Sequence, residues 1–228
     1  MKLKGAIFDL DGTLLDSMPF WENLGSEYLK RKGYNPPENI NEILKTMSLY
    51  QSARYFRHEF AIAENDDEII KEILELIEIH YRTTVAFKES VIPFLESFHE
   101  GNIRMCIATA TDFSLAKAAL ERLNADKYFE FILTCSEAGI GKDDPGFFQI
   151  ALNKLKTSAH DTIVFEDALY AIKSAKESGL YVVAVYDKSA DMDQQDIKAI
   201  ADLYLTTYKD LNLDDIRKFF EGTGARNP

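Results

Sequence analysis

Cysteine is scarce: the chain of 228 residues has two, Cys106 and Cys135. They lie far apart and form no C-x-x-C pair, which speaks against a disulfide framework or a thiolate metal site. Both are expected to be reduced, buried small hydrophobes in strand patterns. The four histidines (His58, His80, His99, His160) are scattered, and no two stand four apart, so zinc has no helical ligand pair. No apolar run approaches the ~20 residues that a membrane-spanning helix needs. The first apolar run is short and meets an acid too soon for a secretory signal, so the expected compartment is the cytoplasm. Positive charge is in deficit, with 26 Lys and Arg against 38 Asp and Glu, a net charge of −12. That balance argues against nucleic acid and membrane as partners. It leaves room for a small anion held by a local cation or a helix N-terminus. There is no internal repeat and no low-complexity stretch.

The composition is that of a globular chain, 46% hydrophobic and 28% charged, long enough for one large domain or a domain with a smaller insert. Its first distinctive stretch is Gly5-Ala6-Ile7-Phe8-Asp9-Leu10-Asp11-Gly12-Thr13-Leu14-Leu15-Asp16-Ser17. The continuous apolar run predicts a strand buried on both faces, as in parallel sheets. Ligands of such sheets bind beyond the carboxyl ends of the strands, where Asp9 and Asp11 would sit.

Helical spacing follows. Phe20, Trp21, Leu24, Tyr28 and Leu29 predict a helix over 17–32, with Gly33 as its stop. A short helix around Ile40, Ile43, Leu44 and Met47 comes next, then one capped by Ser48 and one opened by Asp66-Asp67. From residue 90 strands and helices alternate. Helices are expected at 91–99 (ended by Gly101), 114–123, 145–155, 168–178, after Asp196 and at 213–220; residues 221–228 are expected to fray. Strands are expected at 103–108, 131–134, 162–165, 181–185 and 203–206. This order predicts an α/β fold: a Rossmann-like parallel sheet with helices on both faces, and a small all-helical unit inserted after the first strand. The catalytic core would be 1–16 and 84–228, and the helical insert 17–83.

Polar residues stand at several predicted strand ends. The first strand ends in Asp9 and Asp11, the second in Thr109, Ala110, Thr111 and Asp112, and another in Glu166-Asp167. Lys142 lies just before a helix. Singly, each is an ordinary cap, turn former or surface charge. Together they are chemically complete. Converging carboxylates repel and need a hard divalent cation, while a hydroxyl, backbone amides and an ammonium suit phosphoryl oxygens.

Phe8-Asp9-Leu10-Asp11-Gly12-Thr13 resembles the D-x-D-G-T signature of the haloacid dehalogenase superfamily, and Thr109, Lys142 and Glu166-Asp167 follow in that family's order. The likeness spans nearly the whole chain, the helical insert matching the family's cap, of the β-phosphoglucomutase and phosphoglycolate phosphatase type. It implies that Asp9 is the nucleophile and forms an aspartyl-phosphate, and that Asp11 is the acid and base. It implies Mg²⁺ on Asp9, the Asp11 carbonyl and Asp167, with Glu166 nearby, and phosphate held by Thr109, the Ala110 amide and Lys142. Members that cleave C–halogen bonds lack the second aspartate, so its presence points to phosphate esters.

The chain departs from the family pattern at Asp143-Asp144-Pro145, where K-P-x-P-D is frequent, and at Ala168 and Ala171, where Ser and Gly are frequent. Mutases of the family carry a cap histidine and arginine where this chain has Trp21 and Leu49. Hydrolysis of a small phosphorylated metabolite is therefore the expected activity, with a phosphosugar mutase as the alternative. A receiver-like phosphoacceptor and a non-catalytic binding protein are more distant ones. Trp21 has two readings, as cap core or as a substrate-facing specificity residue. A monomer or weak homodimer is expected.

Overall fold

The four apolar residues Gly5–Phe8 form a strand, β1, with no exposed position. The computed structural model describes residues 2–44 and 47–223, with side chains to residue 220. Two compact units emerge: residues through Asp16 together with those from Ala86 onward, and Ser17–Val85.

The helical unit contains α1 (Met18–Arg31), α2 (Ile40–Leu44), α3 (Leu49–Phe60) and α4 (Asp66–Thr83). Capping boxes start α3 (Ser48 with Gln51) and α4 (Asn65 with Glu68), so the acids of the first α4 turn follow an asparagine cap. Gly33, at φ +85°, ends α1 in the left-handed conformation that disfavours side chains. Leu24, Tyr28 and Leu29 of α1 are buried, as are Ile69, Ile73, Leu76, Ile77 and Tyr81 of α4. The Tyr28 and Phe56 rings stack at 5.4 Å. Trp21 is half-buried, and its indole N–H donates to the Tyr81 hydroxyl at 3.0 Å.

The other unit continues from β1 with α5 (Val91–Glu100), β2 (Arg104–Thr109), α6 (Phe113–Arg122), β3 (Ile132–Thr134), α7 (Cys135–Ala138) and α8 (Pro145–Leu155). It ends with β4 (Thr162–Glu166), α9 (Leu169–Glu177), β5 (Tyr181–Val185), α10 (Gln194–Ile200), β6 (Leu203–Leu205) and α11 (Leu213–Thr223). The strands form one six-stranded sheet in the order β3-β2-β1-β4-β5-β6, every pair parallel. Neighbouring β1 residues serve opposite faces. Ile7, Cys106, Val164 and Val182 pack with Phe147, Phe148 and Leu152 of α8 and Ile172 of α9. Phe8 stacks on Phe165 at 4.5 Å and meets Phe98 of α5 edge-on at 5.9 Å.

Some local expectations shift. Gly101 ends α5 with helical φ, and Asn102 at φ +56° takes the left-handed position. Cys135 opens the short α7 and is half-buried, because the Thr134 hydroxyl caps the Glu137 amide at 3.0 Å and turns the chain out of β3. Cys106 is fully buried, as expected of a small hydrophobe. The predicted helix after Asp196 starts earlier, at Gln194, and α11 runs to Thr223. Residues 224–228 of the expected frayed end lie outside the described residues. Among the described residues, no helix is long and apolar enough to cross a membrane.

Candidate active site

The order of the sheet puts β2 and β4 on either side of β1, so the carboxyl ends of all three strands meet. That switch point is where open parallel sheets hold ligands. The Asp9 amide donates to the Phe165 carbonyl at 2.9 Å, which extends the β1–β4 pairing by one residue and carries the side chain into the protein. The chain then turns tightly. Leu14 and Leu15 both donate to the Leu10 carbonyl, and Gly12 donates to Leu15. Gly12 sits at φ +81°, and a Cβ there would lie 2.5 Å from Asp167 Oδ2. Glycine is thus required by conformation and by space.

Asp9, Glu166 and Asp167 are all buried, and their ligand atoms lie within 4.8 Å of one another. Lys142 stands among them, 3% exposed. Its ammonium donates to Asp9 Oδ1 at 2.5 Å and forms an ion pair with Glu166 Oε2, also at 2.5 Å. Asp144 and Pro145 make this placement possible. Asp144 caps α8 by accepting from the Gly146 amide at 2.8 Å, and Pro145 fills the first turn, so the helix starts although the usual K-P step is absent. Glu166 Oε1 accepts from the amides of Asp167 and Ala168 at 3.2 and 3.1 Å. Ala168 thereby contributes its backbone, and Ala171 is buried in the core. The Thr13 hydroxyl donates to Asp167 Oδ1 at 3.0 Å.

One ammonium against three carboxylates leaves the cluster short of positive charge. Burial would lower the Lys142 pKa, but the charges of Asp9 and Glu166 outweigh it and hold the amine protonated. Burial, then the charge of Asp9, pushes Glu166 up to about 7, against the pull of Lys142. Asp167 is held well above the usual range by burial, then by Asp9 and Glu166. Asp9 Oδ2 is buried without a hydrogen-bond partner. An orphaned carboxylate oxygen inside a hard-oxygen cluster is what a small divalent cation fits.

These carboxyls make the metal-free protein pH-sensitive. A carboxyl whose pKa is raised in the folded state binds its proton more tightly there than in the unfolded chain. For Glu166 that stability is complete below the ordinary value of 4.5 and is lost as pH rises to about 7. With chelator present, the melting temperature should therefore fall across this interval. Added Mg²⁺ should reverse the fall most strongly at its upper end, and Glu166→Gln should flatten it. A metal-free melting temperature that rises across the interval would contradict the assignment.

Asp11 is not one of the three acids whose ligand atoms converge. It is half-buried, and its Oδ2 accepts from the Thr111 hydroxyl at 2.6 Å. Thr109, 1% exposed, ends β2, and its hydroxyl oxygen accepts from the Thr111 amide at 3.0 Å. Ala110 between them is exposed. The structure therefore groups Asp9, Lys142, Glu166 and Asp167 in one cluster, and Asp11, Thr109 and Thr111 in one hydrogen-bonded set. Trp21 belongs to the helical unit. The sequence names Thr13 in the first motif and Thr111 at a strand end without giving either a role, and it does not mark Tyr208. The Tyr208 hydroxyl donates to the Thr13 carbonyl at 3.3 Å.

Comparison with known proteins bears on the family and the fold. A family profile described as haloacid dehalogenase-like hydrolase matches residues 6–185. Hexitol phosphatase A of Escherichia coli (strain K12) is 29% identical over 189 residues, which cover 81% of this chain and 84% of that protein. The phosphorylated carbohydrates phosphatase of Thermotoga maritima is 25% identical over 191 residues, covering 78% and 82%. The crystal structure of beta-phosphoglucomutase from Clostridium difficile superposes with a TM-score of 0.74 at 18% identity, covering 98% of this chain and 100% of that one; at this identity the likeness shows the fold alone. The matched segment runs from β1 to the end of β5 and contains Asp9, Asp11, Thr109, Lys142, Glu166 and Asp167, and the chain belongs to the haloacid dehalogenase-like hydrolases.

Proposed function

We propose that this protein is a Mg²⁺-dependent phosphatase of a small phosphorylated metabolite, working through a phosphorylated Asp9. It is a phosphoric monoester hydrolase. The observation that carries the finer reading is the state of the Asp9 carboxylate. Lys142 holds one oxygen, and the other is buried and unpartnered beside Glu166 and Asp167. Asp9, Asp167 and Glu166 are the side chains that would hold Mg²⁺, which when bound supplies positive charge against the phosphoryl oxygens.

Asp9 attacks phosphorus, forming an O–P bond as the bond to the leaving alcohol oxygen breaks. Asp11 gives that oxygen its proton. Water then attacks the phosphorylated Asp9 and loses its proton to Asp11, and the Asp9 O–P bond breaks. Lys142, the Thr109 hydroxyl and the amide of Ala110, an exposed residue, are the donors for the phosphoryl oxygens during both steps.

The names of the relatives favour phosphorylated sugars and polyols as the substrate class. The hydrogen bond from Trp21 to Tyr81 favours the packing reading of Trp21 over a substrate contact. A panel of sugar, polyol, glycolate and nucleotide monophosphates tests the proposal by phosphate release. At least one ester should be hydrolysed, activity should stop with chelator, and Mg²⁺ should restore it. Isomerisation of a sugar phosphate with little free phosphate would turn the assignment to a mutase. No release across the panel with Mg²⁺ present would overturn it.

A further inference from the structure

We propose that Thr111 is a positioning residue for Asp11, selecting which of its two carboxyl oxygens carries the catalytic proton. The proposal rests on the phosphatase reading above. Thr111 precedes a helix, where a threonine ordinarily serves as an N-cap. Here that duty belongs to Asp112, whose Oδ1 accepts from the amide and the hydroxyl of Ser114, both at 2.8 Å. The Thr111 hydroxyl is directed instead to Asp11 Oδ2, across 100 residues of sequence, at 2.6 Å. That length is typical of a hydroxyl donating to a carboxylate.

The consequence lies in the asymmetry of a carboxyl group. An oxygen that accepts a hydroxyl proton is kept as the acceptor, so the acid's own proton resides on the other oxygen. Oδ2 is anchored, and Oδ1 becomes the working atom. In the first step the Oδ1 proton passes to the ester oxygen as its bond to phosphorus breaks. In the second step Oδ1 takes a proton from water as the water oxygen bonds to phosphorus. The same residue also joins acid and phosphate holder. The Thr111 amide occupies a lone pair of Thr109 Oγ1, leaving the Thr109 proton free to donate to a phosphoryl oxygen. The end of β2 thus sets two groups with one residue.

Thr111→Val removes the hydroxyl at nearly constant volume, and Thr111→Ser retains it. The assay compares kcat/KM for an alkyl phosphate, such as a polyol phosphate, with that for p-nitrophenyl phosphate, in saturating Mg²⁺. This ratio reports the steps up to alcohol release, and p-nitrophenolate departs without needing a proton. Thr111→Val should lower kcat/KM for the alkyl ester by about 10- to 100-fold. It should change the aryl ester by less than about 3-fold, and Thr111→Ser should recover most of the loss. An equal fall for both esters, an unchanged alkyl rate, or failure of serine to restore it would overturn the proposal. Asp9→Asn separates this from the parent reading. If that variant is inactive while Thr111→Val retains alkyl turnover, only the role of Thr111 is lost. If Asp9→Asn hydrolyses both esters at wild-type rates, the phosphatase mechanism fails, and the role of Thr111 with it.

Discussion

Asp9→Asn should lower phosphatase turnover by at least about 10⁴-fold while leaving the protein folded. The size of the loss follows from the role. An amide is not a nucleophile toward phosphorus, and removing the nucleophile from a group of residues that act as a unit leaves only residual binding catalysis. The fold should tolerate the change because asparagine has nearly the same shape and the Asp9 amide still bonds to the Phe165 carbonyl. Stability should shift in a way that depends on metal. Removing one carboxylate relieves its repulsion with Glu166 and Asp167, which their raised pKa values reflect. It also takes an anion away from Lys142. The metal-free variant should therefore melt near the wild-type temperature, and Mg²⁺ should stabilise it less than it stabilises wild type. Phosphate release and thermal melting with and without Mg²⁺ read the two effects separately. Wild-type turnover by the variant would remove Asp9 from the chemistry.

Lys142→Met should be costly twice. Lys142 is the cation that touches both Asp9 and Glu166, each at 2.5 Å. Methionine preserves the length and burial of the side chain and removes the charge. Breaking a buried ion pair by removing one partner costs about 3–5 kcal/mol, because the other charge is left uncompensated. Chemical denaturation of the metal-free protein near pH 8 should show a loss of that order. The loss should shrink at pH 5, where the neighbouring carboxyls can take up protons instead. Turnover should fall by about 10²–10³-fold in saturating Mg²⁺, the range for losing one donor to developing charge. Lys142→Arg should not rescue it, since a planar guanidinium cannot occupy the point where a compact ammonium reaches two carboxylates. A metal-free stability within about 1 kcal/mol of wild type would mean that the cluster does not rely on this ammonium.

Much of this protein is legible as sequence because many of its signals are local. Gly5 to Phe8 predict a doubly buried strand from their own side chains, and the D-x-D-G-T turn follows at once. Ser48 caps α3, and Asp144 and Pro145 start α8, through contacts within three residues. Alternation after residue 90 implies a parallel sheet, since parallel neighbours need a crossover. Local pattern misplaced elements by a few residues where a neighbour intervened. Thr134 turned Cys135 from strand into helix, and the helix expected after Asp196 begins at Gln194.

The sequence by itself determined the set of chemical groups and their order along the chain. The tertiary structure alone decided which group meets which. Lys142 reaches Asp9 across 133 residues, Thr13 reaches Asp167 across 154, and Thr111 reaches Asp11 across 100. None of these distances leaves a periodicity to read. They arise because the strand order places β2 and β4 beside β1, so that three carboxyl ends converge. That convergence gave Lys142 two anionic partners, left one oxygen of Asp9 without a donor, and set the Thr111 hydroxyl on Asp11, where the sequence showed only a strand-end threonine.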